Sequence, residues 1–443
     1  MKSKNLISVA ALVLFAPSVK ASTTLYADGV SGNDSNTCTS PTTACKTIGH
    51  AISIAASGDS ILVAAAPYAE SLNIGISLNI VGSGAATTII EGGGFRGATI
   101  SSATAHVILS NLTIRNNHVS TQCETPGGGG VYNIGTLTIM NSIISGNTAF
   151  GANYRLINVG CGVDGGGIFN SGTLTIDNST VSANSVTVGG CYLVCTFSSA
   201  TGGAIWSSGT LTINNSTITG NTAVSDECTS HNHLSLLGGI FQYSGSATIN
   251  ESTISSNRPL GIQGSILTVN NSSIIGNTGS GIAGSTLTIN NSTITGNGWG
   301  INDFRTLTVS NGTISGNSAV GIFINNGATA TLQNSIVANN PTANCIGTMA
   351  SHGYNLSSDG TCNFNAPGDL NSHDPLLGPL QNNGGPTQTM ALLPGSPAID
   401  GGNPNGCTDG SGHLLTTDQR GMPRPDKEDA RGCDIGAYER QSD

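Results

Sequence analysis

The stretch Gly209-Thr-Leu-Thr-Ile-Asn-Asn-Ser-Thr-Ile-Thr-Gly-Asn221 determines how this chain folds. Leu211, Ile213 and Ile218 alternate with threonines, and this period of two indicates short strands with one apolar face. The Asn-Asn and Gly-Asn pairs mark turns between the strands. Just upstream, Gly-Gly-Ala-Ile-Trp at 202–206 gives a third short extended piece. Three strands with no helix between them predict one turn, or rung, of a parallel β-helix.

The same pattern, Asn-x-[Thr/Ser/Ile]-[Ile/Val]-x-x-Asn, recurs in constant phase along the chain, with Glu251 replacing the first asparagine once. The asparagines that close the copies are Asn117, Asn147, Asn184, Asn221, Asn257, Asn277, Asn297, Asn317 and Asn340. Such a repeat is typical of a solenoid, in which each unit buries its apolar face against its neighbours. We therefore predict an all-β, single-stranded parallel β-helix.

Stacked rungs place equivalent side chains above one another, about 4.8 Å apart. Asparagines at a repeated turn can then bond their side-chain amides to the next copy. We predict a structural ladder, rather than a ligand site, formed by Asn141, Asn178, Asn215, Asn271, Asn291 and Asn311. Glu251 marks a break in this ladder or an exposed turn.

The two ends of the stack need covers, because an open strand edge invites aggregation. Residues 47–56 carry apolar side chains at helical spacing and predict a helix over the first rung, with opening strands at 60–65 and 77–81. Four regions are expected. They are a signal peptide at 1–21, an N-terminal cap with opening strands at 22–66, the β-helix at 67–340 and an irregular closing region at 341–443.

The first 21 residues have the features of a secretory signal peptide. Lys2 and Lys4 precede an apolar stretch from 6 to 16, and cleavage is expected after Ala21. That stretch is too short to span a bilayer, and no later stretch could do so. The sequence predicts an exported protein that does not span the membrane.

The net charge of the chain is −10, and the signal peptide contains three lysines and no acid. A polyanion such as nucleic acid would be repelled, so no nucleic-acid partner is expected. Eleven cysteines fit an oxidising compartment. Their spacing makes three local pairs plausible: Cys38 with Cys45, Cys345 with Cys362, and Cys407 with Cys433. The pairing of Cys123, Cys161, Cys191, Cys195 and Cys228 is left open.

Two segments carry a family likeness. Tyr26-Ala-Asp-Gly29, with the stretch from Ile61 to Tyr68, resembles the start of bacterial right-handed β-helix surface proteins. The segments 378–389, 393–400, 418–424 and 433–439 resemble the choice-of-anchor Q domain. The resemblance implies a right-handed helix in a secreted or surface protein, and family members mostly have no assigned activity. Asp418, Arg420, Arg424, Asp434 and Glu439 in the closing motif are expected to pair with one another rather than to form a site.

Four consecutive repeats, at about 118–239, contain inserts, all placed between the closing asparagine and a Gly-Gly pair. Inserts on one side of a solenoid usually form its binding face. An aromatic residue follows each insert at matching spacing: Tyr132, Phe169, Trp206 and Phe241. If these rings point outward they could stack against sugars. The alternative is that the inserts fold down and bury them.

A glycosidase needs two carboxylates at a set separation, and a lyase needs a base with a metal or an arginine. The sequence shows no acidic residues at one strand position in adjacent rungs. The candidate catalytic residues near the inserts are Glu124, Asp164, Asp226, Glu227, His231 and His233. The last four could hold a metal, but their spacing matches no metal pattern, so no metal or cofactor is expected.

The leading hypothesis is a secreted or cell-surface protein, adhesin-like, that binds an extracellular polysaccharide or a cell-surface glycan through the insert-bearing side. The alternative is a polysaccharide lyase or glycoside hydrolase on the same side. A lesser alternative is a face of outward Thr-x-Thr pairs, such as Thr210 with Thr212, that orders water or ice.

Overall fold

The computed structural model describes residues 22–122, 126–152, 161–189, 198–225, 234–325, 327–426 and 432–442. The chain forms a right-handed parallel β-helix, as predicted. Each full rung contributes two strands to a main sheet and one to a second sheet. Alternating side chains point inward, and rows such as Ile176, Ile213 and Ile249 are fully buried between the sheets.

The main sheet has 21 strands in the described chain. They are Thr24–Ala27, Ser60–Val63, Leu72–Ile74, Leu78–Gly82, Ala98–Ile100, His106–Ser110, Val131–Asn133, Thr136–Met140, Ile168–Asn170, Thr173–Asp177, Ile205–Ser207, Thr210–Asn214, Ile240–Gln242, Ser246–Asn250, Ile262–Asn270, Ser280–Asn290, Trp299–Ser310, Val320–Ile324, Thr329–Gln333, Ala343–Ile346 and Met349–Ser351. The first of these was not expected from the sequence. It precedes the predicted opening strands and pairs in parallel with Ser60–Val63.

Within the described residues the second sheet has 13 strands. They are Ala66–Tyr68, Thr88–Ile90, Thr113–Arg115, Ile143–Ser145, Thr180–Ser182, Thr217–Thr219, Thr253–Ser255, Ser273–Ile275, Thr293–Thr295, Thr313–Ser315, Ile336–Ala338, Leu356–Ser357 and Leu370–Asn371. The turn from main to second sheet places one residue at positive φ, about 47° at Asn215. Asparagine tolerates this left-handed conformation better than most residues. Glu251 occupies the same position with φ 49°.

Side-chain hydrogen bonds join some, but not all, of the asparagines in the predicted turn ladder. Asn215 donates to the side-chain oxygen of Asn178 (2.7 Å), and Asn291 donates to that of Asn271 (2.8 Å). Asn141 and Asn311 adopt the same positive-φ turn conformation. The shared feature of this set is therefore its backbone conformation, with side-chain bonds between some members.

The closing asparagines form a longer, buried chain of hydrogen bonds, which was not predicted from the sequence. In each rung the backbone N–H and the side-chain NH₂ both donate to the side-chain oxygen of the next closing asparagine. At Asn184 these two bonds to Asn221 are each 3.0 Å. The pattern runs from Asn117 to Asn340 and ends on Asn344. These amides replace the backbone bonds that the corner of each rung would otherwise lack.

Loops closed by disulfides, and one α-helix, lie near the ends of the stack. The helix Ile48–Ile54 buries Ile48 and Ala51, and Glu70 accepts hydrogen bonds from the backbone at its start. A short 3-10 helix, Pro41–Thr43, lies in the loop closed by the Cys38–Cys45 disulfide. The other predicted pairs, Cys345–Cys362 and Cys407–Cys433, are also bonded. No helix in the described ranges is long and apolar enough to cross a membrane.

The inserts form strands rather than irregular loops. An outgoing sheet contains His118–Gln122, Thr148–Ala152, Ser185–Gly189 and Thr222–Ser225, and a return sheet contains Cys161–Asp164, Ser198–Thr201 and Leu234–Leu237. Both sheets are parallel, because each insert leaves its rung at the same position and runs in the same direction as the insert in the next rung. Ala149, Val163, Val186, Val188 and Ala200 make a small core between them. We call these two sheets the insert lobe.

The closing region differs from its expected position at the end of the helix. Strands up to Leu370–Asn371 still add to the stack, so the helix continues beyond residue 340. The rest, which includes an antiparallel hairpin of Leu377–Gln381 and Thr389–Leu392, returns along the flank. Gln419 bonds Ser273 and Thr293, and the N–H of Ala437 donates to Thr313. The outer side chains of the second sheet are small hydroxyl residues there, and the segment buries them.

Candidate functional site

The four aromatic residues that follow the inserts lie in register on the outer side of the main sheet. Tyr132 and Phe169 stack with centroids 5.2 Å apart, and Phe169 and Trp206 stack at 4.5 Å. The next ring over Trp206 is that of Tyr243, at 5.7 Å, and Phe241 meets Tyr243 edge-on.

This stacking changes the predicted use of the aromatic residues. A ring binds a sugar best through a free face, and the faces of Phe169 are covered by Tyr132 and Trp206. Phe169 is only 6% exposed. The inner members therefore stabilise the rungs, and among the described residues a ligand can meet the stack at its ends rather than along its length. Tyr243, 62% exposed, is at the upper end.

Arg96 covers the lower end of the stack, toward the N-terminus. Its guanidinium carbon lies 4.9 Å from the centroid of the Tyr132 ring. Its Nε donates to the carbonyl of Gly127 (2.9 Å), and Nη2 donates to that of Pro126 (2.6 Å). Burial lowers the pKa of Arg96 from its usual value. The guanidinium is thus fixed by a ring and two carbonyls.

A groove of about 590 Å³ opens beside Arg96, where the insert lobe begins. It is lined by cationic, aromatic, hydroxyl and apolar groups: Arg96, Thr99, Val119, Ser120, Thr121, Pro126 and Tyr132. Its wall is the strand His118–Gln122, which is the outermost strand of the outgoing sheet. The lower edge of this strand has no strand partner in the described chain, so its backbone groups face the groove. We call this site the basal groove.

Asp164 is the one candidate catalytic residue that the structure describes. It ends the first return strand, on the side opposite the buried Val163. Thr201, in register one rung above, donates its hydroxyl to Oδ1 of Asp164. Burial raises the pKa of Asp164 to about 6. A carboxyl group with this pKa can exchange a proton near neutral pH.

The other candidates, Glu124, Asp226, Glu227, His231 and His233, lie outside the described residues, as do Cys123, Cys191, Cys195 and Cys228. Within the described ranges, one group of three metal-ligand side chains lies together, Cys38, Cys45 and His50. Two of its members are joined in a disulfide, so they offer no thiolate to a metal.

The outward threonines form two regular rows on the main sheet. One row is in register over eight rungs: Thr138, Thr175, Thr212, Thr248, Thr268, Thr288, Thr308 and Thr331. In the neighbouring row, Ile266, 51% exposed, stands between Ser246 and Thr286. The closing region also reaches the upper rungs, where Gly410 bonds Asn290. The hydroxyl surface is therefore interrupted at two places.

Sequence reasoning selected the aromatic stack but not the basal groove. Arg96 and Thr99 lie in the short rung below the first insert, and Ser120 and Thr121 lie within that insert, for which no strand was predicted. One sequence feature could have indicated the groove. Arg96 closely follows a Gly-Gly-Gly run, at the same corner of the rung where the next repeats carry inserts.

Comparison with known proteins supports the fold. Residues 238–365 match the family of the right-handed beta helix region. No curated protein sequence matches the chain. The chain is similar to XylC in its complex with xylose, at 9% identity and TM-score 0.54, over 94% of this chain and 98% of that one. It is also similar to pectate lyase Pel9A, at 12% identity and TM-score 0.49, over 96% and 98%. At these identities the likeness concerns the fold alone.

Proposed function

We propose that this protein is an exported glycan-binding β-helix and that the basal groove holds the sugar. The observation that carries the proposal is the groove itself, which brings a fixed guanidinium, an aromatic ring and free hydroxyls to one concave site. Its volume is within the range of small-ligand sites, roughly 300–1,000 Å³. The choice-of-anchor Q resemblance and the predicted signal peptide support an extracellular or cell-surface location.

The chemistry of the groove suits a saccharide of one or a few rings. Sugars present hydroxyls around an apolar ring, and they bind where donors and acceptors surround an apolar patch. Val119 and the edge of Tyr132 supply apolar contact, while Thr99 and Ser120 make no side-chain hydrogen bond to the described residues and can bond a ligand. The open edge of the strand His118–Gln122 adds backbone donors and acceptors.

Substituting Ser120→Trp tests this site. Ser120 pairs in register with Phe150, on the face of the outgoing sheet away from Val119 and the lobe core. An indole there is expected to fill the groove and to reduce affinity for any bound glycan at least about tenfold, without unfolding the protein. Binding to a panel of polysaccharides and oligosaccharides is measured by affinity electrophoresis and calorimetry.

Thr187→Trp is the matched control, because Thr187 pairs with Phe150 from the rung above and lies on the same face. This variant should bind as the unsubstituted protein does. Equal loss in both variants, or undiminished binding in Ser120→Trp, would show that the glycan is held elsewhere.

A second candidate function is a polysaccharide lyase or hydrolase, and the observation that favours it is the partly buried Asp164 carboxyl. With a pKa raised to about 6, it suits a general acid or base better than an ordinary aspartate does. The second acidic or basic group that such chemistry needs is not beside it in the described residues.

If Asp164 is catalytic, Asp164→Asn should lower polysaccharide cleavage at least about 100-fold. The measurement is the release of reducing ends, or of unsaturated products, from uronate-containing and neutral polymers. Asp177→Asn is the control, because the Asp177 side chain lies on the outer face of the main sheet and, in the described chain, accepts a hydrogen bond from Asn214 alone. No cleavage by the unsubstituted protein, or full activity in Asp164→Asn, would remove this role for Asp164.

A further inference from the structure

We infer that the basal groove is selective for sugars that carry a carboxylate, and that Arg96 is the residue that selects them. The inference rests on the proposed glycan-binding function and specifies its ligand class. It concerns uronate-type residues in a short saccharide, held by the guanidinium at the lower end of the aromatic stack.

The first support is the fixed geometry of Arg96. Two of its five N–H groups are bound to the carbonyls of Pro126 and Gly127, and its guanidinium carbon lies over the Tyr132 ring. The other three N–H groups have no acceptor among the described residues. A guanidinium held in this way presents a planar fork that matches both oxygens of a carboxylate. Little side-chain entropy remains to be lost on binding.

The second support is the charge of the lining. None of the described residues that line the groove is acidic, so Arg96 has no counter-ion among them. The neighbouring arginine, Arg115, differs in this respect because it is paired with Glu91 at 2.7 Å. A charge without a partner at the wall of a groove favours an anionic ligand.

The acidity of the rest of the chain limits the kind of ligand. The net charge is −10, so a densely anionic polymer is repelled at long range. Attraction is confined to the groove, where Arg96 is the one cation among the described lining residues. A saccharide with one or a few carboxylates therefore fits better than a heavily sulfated chain.

The experiment compares three probes by calorimetry: trigalacturonate, its methyl ester and a sulfated trisaccharide. The unsubstituted protein should bind the acid about tenfold more tightly than the ester, as one charge-assisted contact implies. Arg96→Gln should reduce affinity for the acid to that for the ester. Arg115→Gln makes the same change of charge outside the groove and should keep the preference.

The outcomes separate the inference from the function on which it rests. Equal affinity for acid and ester would overturn carboxylate selection while leaving glycan binding intact. An equal loss for both probes in Arg96→Gln would mean that Arg96 only shapes the groove. Tighter binding of the sulfated probe would overturn the assignment to carboxylates. No binding of these probes, or of any glycan in the panel, would overturn the proposed function itself.

Discussion

Substituting Asn221→Leu is expected to destabilise the β-helix by about 4 kcal/mol or more, although leucine shares the branching of asparagine at Cγ. The Asn221 oxygen accepts from the backbone N–H and the side-chain NH₂ of Asn184. Its own NH₂ donates to the oxygen of Asn257 and to the carbonyls of Val181 and Thr219. Leucine leaves these groups buried without partners, at about 1–3 kcal/mol for each group that finds no water.

Asn215→Gly, six residues earlier in the same rung, is the control. Asn215 adopts φ 47° and makes one side-chain bond, to Asn178. Glycine accepts this backbone conformation, so the cost should stay below about 1 kcal/mol. Guanidinium denaturation followed by circular dichroism measures both variants, and hydrogen exchange locates the loss. Similar effects of the two substitutions would contradict the assignment of the closing asparagines as the stabilising chain.

The sequence predicted the rungs because one period repeats along the chain. Apolar residues at a spacing of two require inward rows, and the constant phase fixes the register. The choice between the two asparagines of each repeat did not follow from the pattern. Both recur, and only the structure shows that Asn221 is buried while Asn215 lies at an exposed turn.

The candidate site was predicted less well than the fold. The spacing of Tyr132, Phe169 and Trp206 predicted a common row, but spacing does not say that rings will cover one another's faces. The groove depends on where the outgoing sheet begins, one rung below the first return strand. That offset arises because the first insert adds an outgoing strand but, in the described residues, no return strand.

The flanking position of the closing region could not be predicted from periodicity, since the repeat has ended there. Its contacts depend on the side chains it meets, such as Ser273 and Thr313, which look like ordinary repeat positions in the sequence. The charged side chains of the closing motif nevertheless form the expected ion pairs. Arg420 bonds Asp418, and Arg424 bonds Glu439 with both side chains fully buried.

The Arg424→Met substitution is expected to release the closing region from the flank, at a cost of about 3–5 kcal/mol. Arg424 Nε donates to Glu439 (2.8 Å), Nη1 to Asn291 (3.0 Å) and Nη2 to the carbonyl of Gly436 (2.8 Å). Removing the cation leaves the Glu439 carboxylate buried near Asp418 and Asp434, and an unpaired buried charge carries a cost of this size. Limited proteolysis and hydrogen exchange of residues 374–442 measure the release.

The pH dependence of that release identifies its cause. Burial, and then the nearby Glu439 carboxylate, raise the pKa of Asp434 to about 7 from an ordinary 3.8. Burial also raises the pKa of Glu439, whose Oε1 makes no hydrogen bond in the described chain. A raised carboxyl pKa stabilises the fold fully below about pH 4, and this contribution is lost as pH rises through 7.

The closing region should therefore be more stable at pH 5 than at pH 8, by about 2 kcal/mol from Asp434. Arg424→Met should steepen this profile, because the cation that favours both carboxylates is gone. Asp434→Asn should flatten it, because the titrating group is removed. A profile that rises with pH would mean that the buried acids are held ionised by the charge of Arg424. A profile that Asp434→Asn leaves unchanged would mean that another group titrates.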